Sequence, residues 1–576
     1  MDALSKNRKK HILQFAFASI LFGLWTCVVY VKCGIYFETN DDRIITEILS
    51  GVLAVNPEFH TTYVNALLSA VFAALYGLTT AIPWYGGCLI LFHVSAYVLF
   101  LYFLLRRANG LWEAIGAVVM AGSFVLVNVG LLAQIQYTST AALLALTGYA
   151  CLVLEDDEKC GFVVFAVMEL LAILLRDQAM LMIQPLGLPV FVLWILIRKD
   201  LIFGQKIKKI AEVCAVLLAL FVVMWVGTTA AYGSGDWKNY KLGDNASRQI
   251  FDYGDRMSYE EAMPVLDKYG VTEVQYNAYM SYTMLDGEIS TECLQELVEF
   301  RKSIYEKHPS VGELFTEQLA YLQSDSFRGL NKVVLLLWIL LTLYILISRE
   351  FSVLIPMVGL LAGRLFVWGF LIYGGRVPQR VLAPLFACEM MLLLVLFVRC
   401  YVTGEPQEKK PLIKYFATRI FVVIFLLLFA ARSVESGKEQ YRYAAQQNRG
   451  QEIFFAGAKE LQDYCGQHPE RQYYVESLSQ AYYVGSALET EYYLHRDYMT
   501  TGCWYFNSPA MNAKTEAFRN EREEGIYLII YAYADSEGHP AVLYFEEKTN
   551  VKPVQTDSFT LSHGGRYLVY YFGEAY

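Results

Sequence analysis

Two adjacent carboxylates, Asp41 and Asp42, follow the first long apolar run of the chain, in the segment Tyr36-Phe-Glu-Thr-Asn-Asp-Asp42. A carboxylate fixed there, close to a membrane plane, can deprotonate an acceptor hydroxyl as general base or hold a divalent cation. An amphipathic stretch follows, Arg43–Leu53, with Ile44, Ile45, Ile48, Leu49 and Val52 on one face. The acid pair therefore equally suits the first turn of a surface helix that Asn40 would cap. Next come Asn56-Pro-Glu-Phe-His60 and an apolar run, Tyr63–Ile82. That run returns His60 to the same surface, where it can assist the acids or make an ordinary interfacial hydrogen bond.

A phosphate leaving group needs cations beside it. Arg376 and Arg380 fall at the mouth of two late apolar runs, where they can bind a phosphate or snorkel to the interface. Arg364 and Glu389 sit within those two runs, nearly equidistant from the short turn that joins them. They can pair at matching depth, or Arg364 can form a polar wall for a lipid phosphate. Glu169 is a third ionisable group inside an apolar run. Short turns supply Gln136, Tyr137, Arg176 and Asp177 as further candidates for substrate binding. Trp237 and Tyr240 open a mixed aromatic and polar stretch that runs on to Arg248, Asp252 and Tyr253. With Tyr276–Tyr282, Tyr473-Tyr474 and Tyr492-Tyr493, these rings can stack on sugars or bury against neighbouring helices.

The elements that must position these groups are membrane spans. Of the 576 residues, 56% are hydrophobic and only 18% charged, and the charges avoid a series of apolar runs long enough to cross a bilayer. The runs predict eleven spans: residues 11–31, 83–105, 112–132, 139–154, 161–175, 179–197, 210–232, 333–347, 351–373, 381–399 and 416–431. The basic start, Met1–Lys10, leads into a span kept as an anchor. The run Tyr63–Ile82 is long enough to cross but is read as dipping into the interface and returning. Only then do Lys6–Lys10, Arg106-Arg107, Arg198–Lys209, Arg349 and Lys409–Lys414 share one side, as cytoplasmic Lys/Arg does. Glu155–Glu158 alone is off that pattern.

The expected architecture is an all-α polytopic membrane bundle over residues 1–432, with a small C-terminal α/β domain at 433–576. The N-terminus is placed in the cytoplasm and the C-terminal domain outside, in a bacterial plasma membrane. The first outer loop (32–82) carries the juxtamembrane and interfacial helices. A long outer loop (233–331) carries short helices at Tyr259–Lys268 and Thr291–Lys307. In the last domain a helix is predicted over Gly437–Cys465, with strands at Gln472–Glu476, Gly525–Tyr531, Ala541–Phe545 and Arg566–Phe572. The 11 cysteines show no C-x-x-C spacing, and Cys465 and Cys503 could pair in an oxidising space. The net charge of −9 argues against nucleic acid as a partner. Asn245-Ala-Ser247 matches a glycosylation sequon and is given no role.

In order and spacing these motifs resemble the GT-C superfamily, the membrane glycosyltransferases that use polyprenyl-phosphate sugars, and within it the protein O-mannosyltransferases and lipid A aminoarabinose transferases. The matching features are Asp41-Asp42, the amphipathic Arg43–Leu53, Pro57-Glu-Phe-His60 leading into Tyr63–Gly77, and Leu105-Arg-Arg107 ending the second span. Arg376-Val-Pro-Gln-Arg380 through Pro384 is similar to the start of a late span in that superfamily. The order of Pro and His departs from the usual one. The resemblance implies an inverting transfer of sugar from a polyprenyl-phosphate donor to an envelope polysaccharide, lipid or protein, with Asp41 or Asp42 as base. A divalent cation held by the acid pair is the one candidate cofactor. A polymerase or ligase of lipid-linked saccharides, a flippase and a non-enzymatic assembly protein are the rival readings.

Overall fold

The computed structural model describes residues 2–155, 158–253, 255–285, 287–305, 308–403, 412–480, 483–490, 496–522, 524–533 and 536–573. In chain order the first elements are α1 (Asp2–Cys33), β1 (Tyr36–Phe37), α2 (Asn40–Leu49), α3 (Ala66–Leu78), α4 (Trp84–Arg107), α5 (Leu111–Val127), α6 (Val129–Ala133), β2 (Gln134–Ile135), α7 (Tyr137–Leu154), α8 (Glu158–Ile197) and α9 (Phe203–Tyr232). The long loop holds α10 (Gly235–Asp252), α11 (Tyr259–Tyr269), α12 (Glu273–Met280), α13 (Thr291–Tyr305) and α14 (Val311–Gln323). Then come α15 (Leu330–Ser348), α16 (Leu354–Tyr373), α17 (Gln379–Thr403) and α18 (Leu412–Gly466).

Among the described residues nine helices are long and apolar enough to cross a membrane. One of them, α8, breaks at Arg176, whose backbone is extended (φ −158°, ψ 99°), and folds back on itself. Across the bend Gln184 Nε2 donates to Glu169 Oε2 at 3.1 Å. Counting α8 twice and adding the 17-residue α5, whose rise of about 26 Å nearly matches the bilayer core, restores eleven crossings. By contrast, α3 has 13 residues, a rise of about 20 Å, too short to cross. The chain confirms its return. Ile35 O, just after α1, accepts from Ala487 N at 3.0 Å, and Gly86, at the start of α4, packs directly on the Ala487 backbone. Both helix ends therefore meet at one side. At the opposite side Gln14 Nε2 donates to Leu105 O at 2.9 Å. The off-pattern acid is explained there too: Glu155 Oε2 takes Arg106 Nε at 2.8 Å. Lys409 and Lys410 lie outside the described residues.

The last span does not stop at the interface. The helix predicted over Gly437–Cys465 is the continuation of α18, a 55-residue rod that carries the chain out of the bundle. It delivers β3 (Arg471–Glu476), α19 (Ser477–Gln480), β4 (Tyr498–Thr501), α20 (Pro509–Asn520), β5 (Glu524–Tyr531), α21 (Pro540–Thr549), β6 (Val554–Thr560) and β7 (Arg566–Tyr571). The sheet order is β4-β3-β5-β7-β6, with β3 parallel to β4 and β5 and the β6–β7 hairpin antiparallel. The predicted strand Ala541–Phe545 is instead the helix α21. Pro540 opens it and the His539 side chain accepts from Ala541 N, and this start signal outweighs strand propensity. Tyr473 and Tyr474 are fully buried on opposite faces of β3, so they are core rather than sugar platforms. Cys465 and Cys503 are both buried free thiols. Tyr492 and Tyr493 lie outside the described residues.

Candidate active site

The acid pair is placed by a three-stranded backbone junction. β1 pairs in parallel with β2. On its other side Phe37 N donates to Gly485 O at 3.0 Å, and Tyr36 bridges Ser486. The buried Asn448 side chain, from α18, donates to Cys33 O at 3.0 Å, Gly34 O at 3.4 Å and Ala133 O at 3.1 Å. One amide thus ties together the chain segments that lead into both strands. Leaving β1, the chain enters α2, whose first turn holds Asp41 and Asp42. The residue that precedes the helix is Thr39, without a side-chain cap bond, so Asn40 does not cap it. Further along, Glu47 is buried against Arg43 at 3.5 Å and pairs with Arg496 of the C-terminal domain.

The two acids are not equivalent. Asp42 is fully buried; its Oδ1 accepts from the Tyr85 hydroxyl at 2.8 Å and from Tyr137 N at 3.3 Å. Burial pushes its carboxyl well above the usual range, against the pull of the Tyr85 hydroxyl, and the neighbouring Asp41 adds to the rise. Asp42 thus ties α2 to α4 and α7 through these two bonds, and burial disfavours its charged form. Asp41 is only partly buried and has Arg380 Nη1 at 3.5 Å. Burial raises its pKa while Arg380, Arg176 and Arg376 pull it back. Burial outweighs that pull, so its pKa stays above the ordinary value, and its side chain, partly exposed, lies among guanidinium groups.

Around Asp41 the structure gathers several predicted residues and adds others. Arg376 Nη1 bonds Asp252 at 2.8 Å. The guanidinium of Arg176 lies 5.0 Å above Tyr63 and 5.5 Å above Tyr137, placed there by the break in α8. Its neighbour Asp177 accepts from Gln178 N. Gln136 is buried with neither side-chain polar atom partnered, which suits an amide that meets a ligand or ordered water. The sequence reading missed Glu38, whose carboxyl burial pushes up to about 7 against the pull of Arg380 and Arg328. It named Arg248 in the aromatic stretch but missed Lys241 and Asp244, which form a trio with it on α10. Arg248 Nη2 meets the buried Asp244 at 2.8 Å and stands 5.5 Å over Tyr63. Lys241 donates to Thr62 O at 3.1 Å, and burial brings its ammonium down to about 8. The i, i+3, i+7 spacing of the trio on α10 was the available signal.

Four predicted residues sit among partners other than the acid pair. His60 is wedged between Phe59 and Trp237, stacked on the latter at 3.7 Å. Its ring nitrogens face Glu58 Oε1 at 2.7 Å and Ala231 O at 3.2 Å; both are occupied, and none of its contacts reaches Asp41. Trp237 and Tyr240 pack the same joint rather than a sugar: Tyr240 is buried, with its hydroxyl on Trp504 O at 3.2 Å. Arg364 is buried in the bundle and ion-paired to Glu389, with the Trp368 ring 5.0 Å from its guanidinium. Among the described residues no three His, Cys, Asp or Glu side chains gather at a metal-sized site.

No family model matches the chain, and no curated protein does. Among solved structures, the chain is similar to ArnT from Cupriavidus metallidurans bound to undecaprenyl phosphate, with a TM-score of 0.37 and 13% identity over 96% of this chain and 97% of that one. For ArnT from the same organism in the apo state the TM-score is 0.38 and the identity 12%, over the same shares.

Proposed function

We propose that this chain is a membrane glycosyltransferase of the GT-C kind, transferring a sugar from a polyprenyl-phosphate donor to a cell-envelope polysaccharide, lipid or protein by an inverting displacement. The observation that carries this reading is Asp41, a partly buried carboxylate with Arg380 at 3.5 Å and Arg176 and Arg376 acting on it, at the membrane-proximal end of the bundle. In the reaction Asp41 takes the proton of the acceptor hydroxyl. The acceptor oxygen attacks the anomeric carbon from the face opposite the leaving group, and the bond from that carbon to the phosphate oxygen breaks. The lipid phosphate departs with its charge held by Arg376 and Arg380, with Arg176 and Arg248 nearby. Lys241, poised near neutrality, gains charge when an anion arrives. Asn40, Gln136 and Tyr137 border the space left for the sugar.

The site side is extracytoplasmic in this reading and the N-terminus cytoplasmic. Support comes from Arg106, Arg107, Arg198, Lys199 and Arg349, which sit in the short connectors of the opposite side. The test is purified protein in liposomes with a panel of polyprenyl-phosphate sugars, following release of polyprenyl phosphate with and without acceptor. Absence of turnover for every donor class sinks the proposal. The pH profile gives a sharper check. Arg380 favours the ionised form of Asp41, so Arg380→Met raises the pKa of the base. The acid limb of kcat/KM then moves to higher pH, in addition to any loss of rate. An unmoved limb would mean that the titrating base is not Asp41.

A further inference from the structure

Helix α14 belongs by sequence to the long loop, yet its residues divide three ways. One face is against the bundle. Gln318 is buried, its Nε2 donating to Leu365 O of α16 at 3.4 Å, and Tyr321 packs on Trp368 with ring centroids 5.7 Å apart. A second face, with Glu313, Thr316 and Glu317, is polar and exposed. Between them Val311, Phe315 and Leu319, spaced by single turns, are 83%, 55% and 47% exposed. Leaving such a row in water forfeits the free energy that covering each side chain would gain.

Depth says what covers the row. α16 rises toward the site side and ends at Tyr373. Leu365, where Gln318 docks, lies about 12 Å below that end at 1.5 Å per residue, within the roughly 15 Å half-thickness of the apolar core. The face of α16 that carries α14 continues away from the site as Leu361 and Val358, at helical spacing and exposed. That is the lipid-facing surface of a span. The exposed row of α14 therefore continues a surface already meant for acyl chains.

We propose that α14 is a half-embedded interfacial helix. Its Val311–Phe315–Leu319 row lies in the acyl chains of the leaflet on the site side, and Glu313 and Glu317 lie at the headgroups. Through Trp368, which lies 5.0 Å under the Arg364 guanidinium, it also roofs the Arg364–Glu389 pair. This inference does not depend on glycosyl transfer, and its test needs no donor. The photoreactive residue p-benzoylphenylalanine is placed singly at Phe315, Leu319, Thr316 and Glu317 in the full chain. Each variant is reconstituted in phosphatidylethanolamine–phosphatidylglycerol vesicles, irradiated and analysed by mass spectrometry. Acyl-chain adducts at 315 and 319, with none at 316 and 317, are the expected result. Equal adducts on both faces, or no adducts at 315 and 319, overturn it. Cross-linking of 315 or 319 to another polypeptide in native membranes also overturns it, by assigning the row to a protein partner.

Discussion

Asp41→Asn lowers kcat by about 10²–10⁴, the usual contribution of a positioned general base, whereas Asp42→Asn stays within a few-fold of wild type. The contrast follows from how the pair is held. Asp42 Oδ1 accepts from Tyr85 and Tyr137 N, and an asparagine oxygen accepts both bonds equally well. Burial already holds the Asp42 carboxyl well above its ordinary pKa, so replacing a protonated acid by an amide removes no charge the site was using. Asp41 differs, because the Arg380 guanidinium facing it favours the ionised form and an amide cannot accept the acceptor's proton. Donor turnover by the two variants, normalised to folded protein, is the measurement. Equal losses, or a larger loss in Asp42→Asn, would reverse the assignment.

The second large effect is on stability. Arg364→Met leaves the Glu389 carboxylate buried without its counter-ion, and such half-pairs cost about 3–5 kcal/mol. Glu389 has one other partner, Trp338 Nε1 at 2.6 Å, which a glutamine can still satisfy. Arg364→Met combined with Glu389→Gln should therefore recover most of the loss, read as thermal unfolding in detergent. Because the pair lies within the bundle rather than at the Asp41 site, the double variant should also transfer sugar at nearly the wild-type rate per folded molecule. A folded but inactive double variant would restore Arg364 to the phosphate site.

What the sequence disclosed and what it hid follow from the range of the interactions. Span positions were legible because apolar length is a local property. The return of Tyr63–Ile82 was legible because loop charge reports sidedness. The Arg364–Glu389 pair was readable from two counts along antiparallel helices. Roles that depend on distant partners were not. His60 looked like a catalytic assistant until Trp237, far along the chain, stacked on it. Asp41 and Asp42 are adjacent in sequence and chemically alike, and distant partners such as Tyr85 and Arg380 tell them apart. Glu38 carries no motif and Lys241 only its helical spacing with Asp244 and Arg248; both enter the site through burial. Asn448 sits in a polar helix with nothing to mark that it holds three carbonyls of other segments. The helix α21 resembles a strand in sequence because its apolar run is short; the His539-Pro540 start is what marks it as a helix.

The strand that introduces Asp41 has one neighbour from early in the chain and another, at residues 485–487, from near its end. The Ser486 hydroxyl that reaches Ile35 O comes from 451 positions further on. A ribosome adding about 5–20 residues per second needs tens of seconds to supply that second edge. Until then the spans can insert and pack, but the base has no fixed seat. Under the proposed function, competence would therefore arrive last in biogenesis, and a prematurely terminated chain would sit in the bilayer inert.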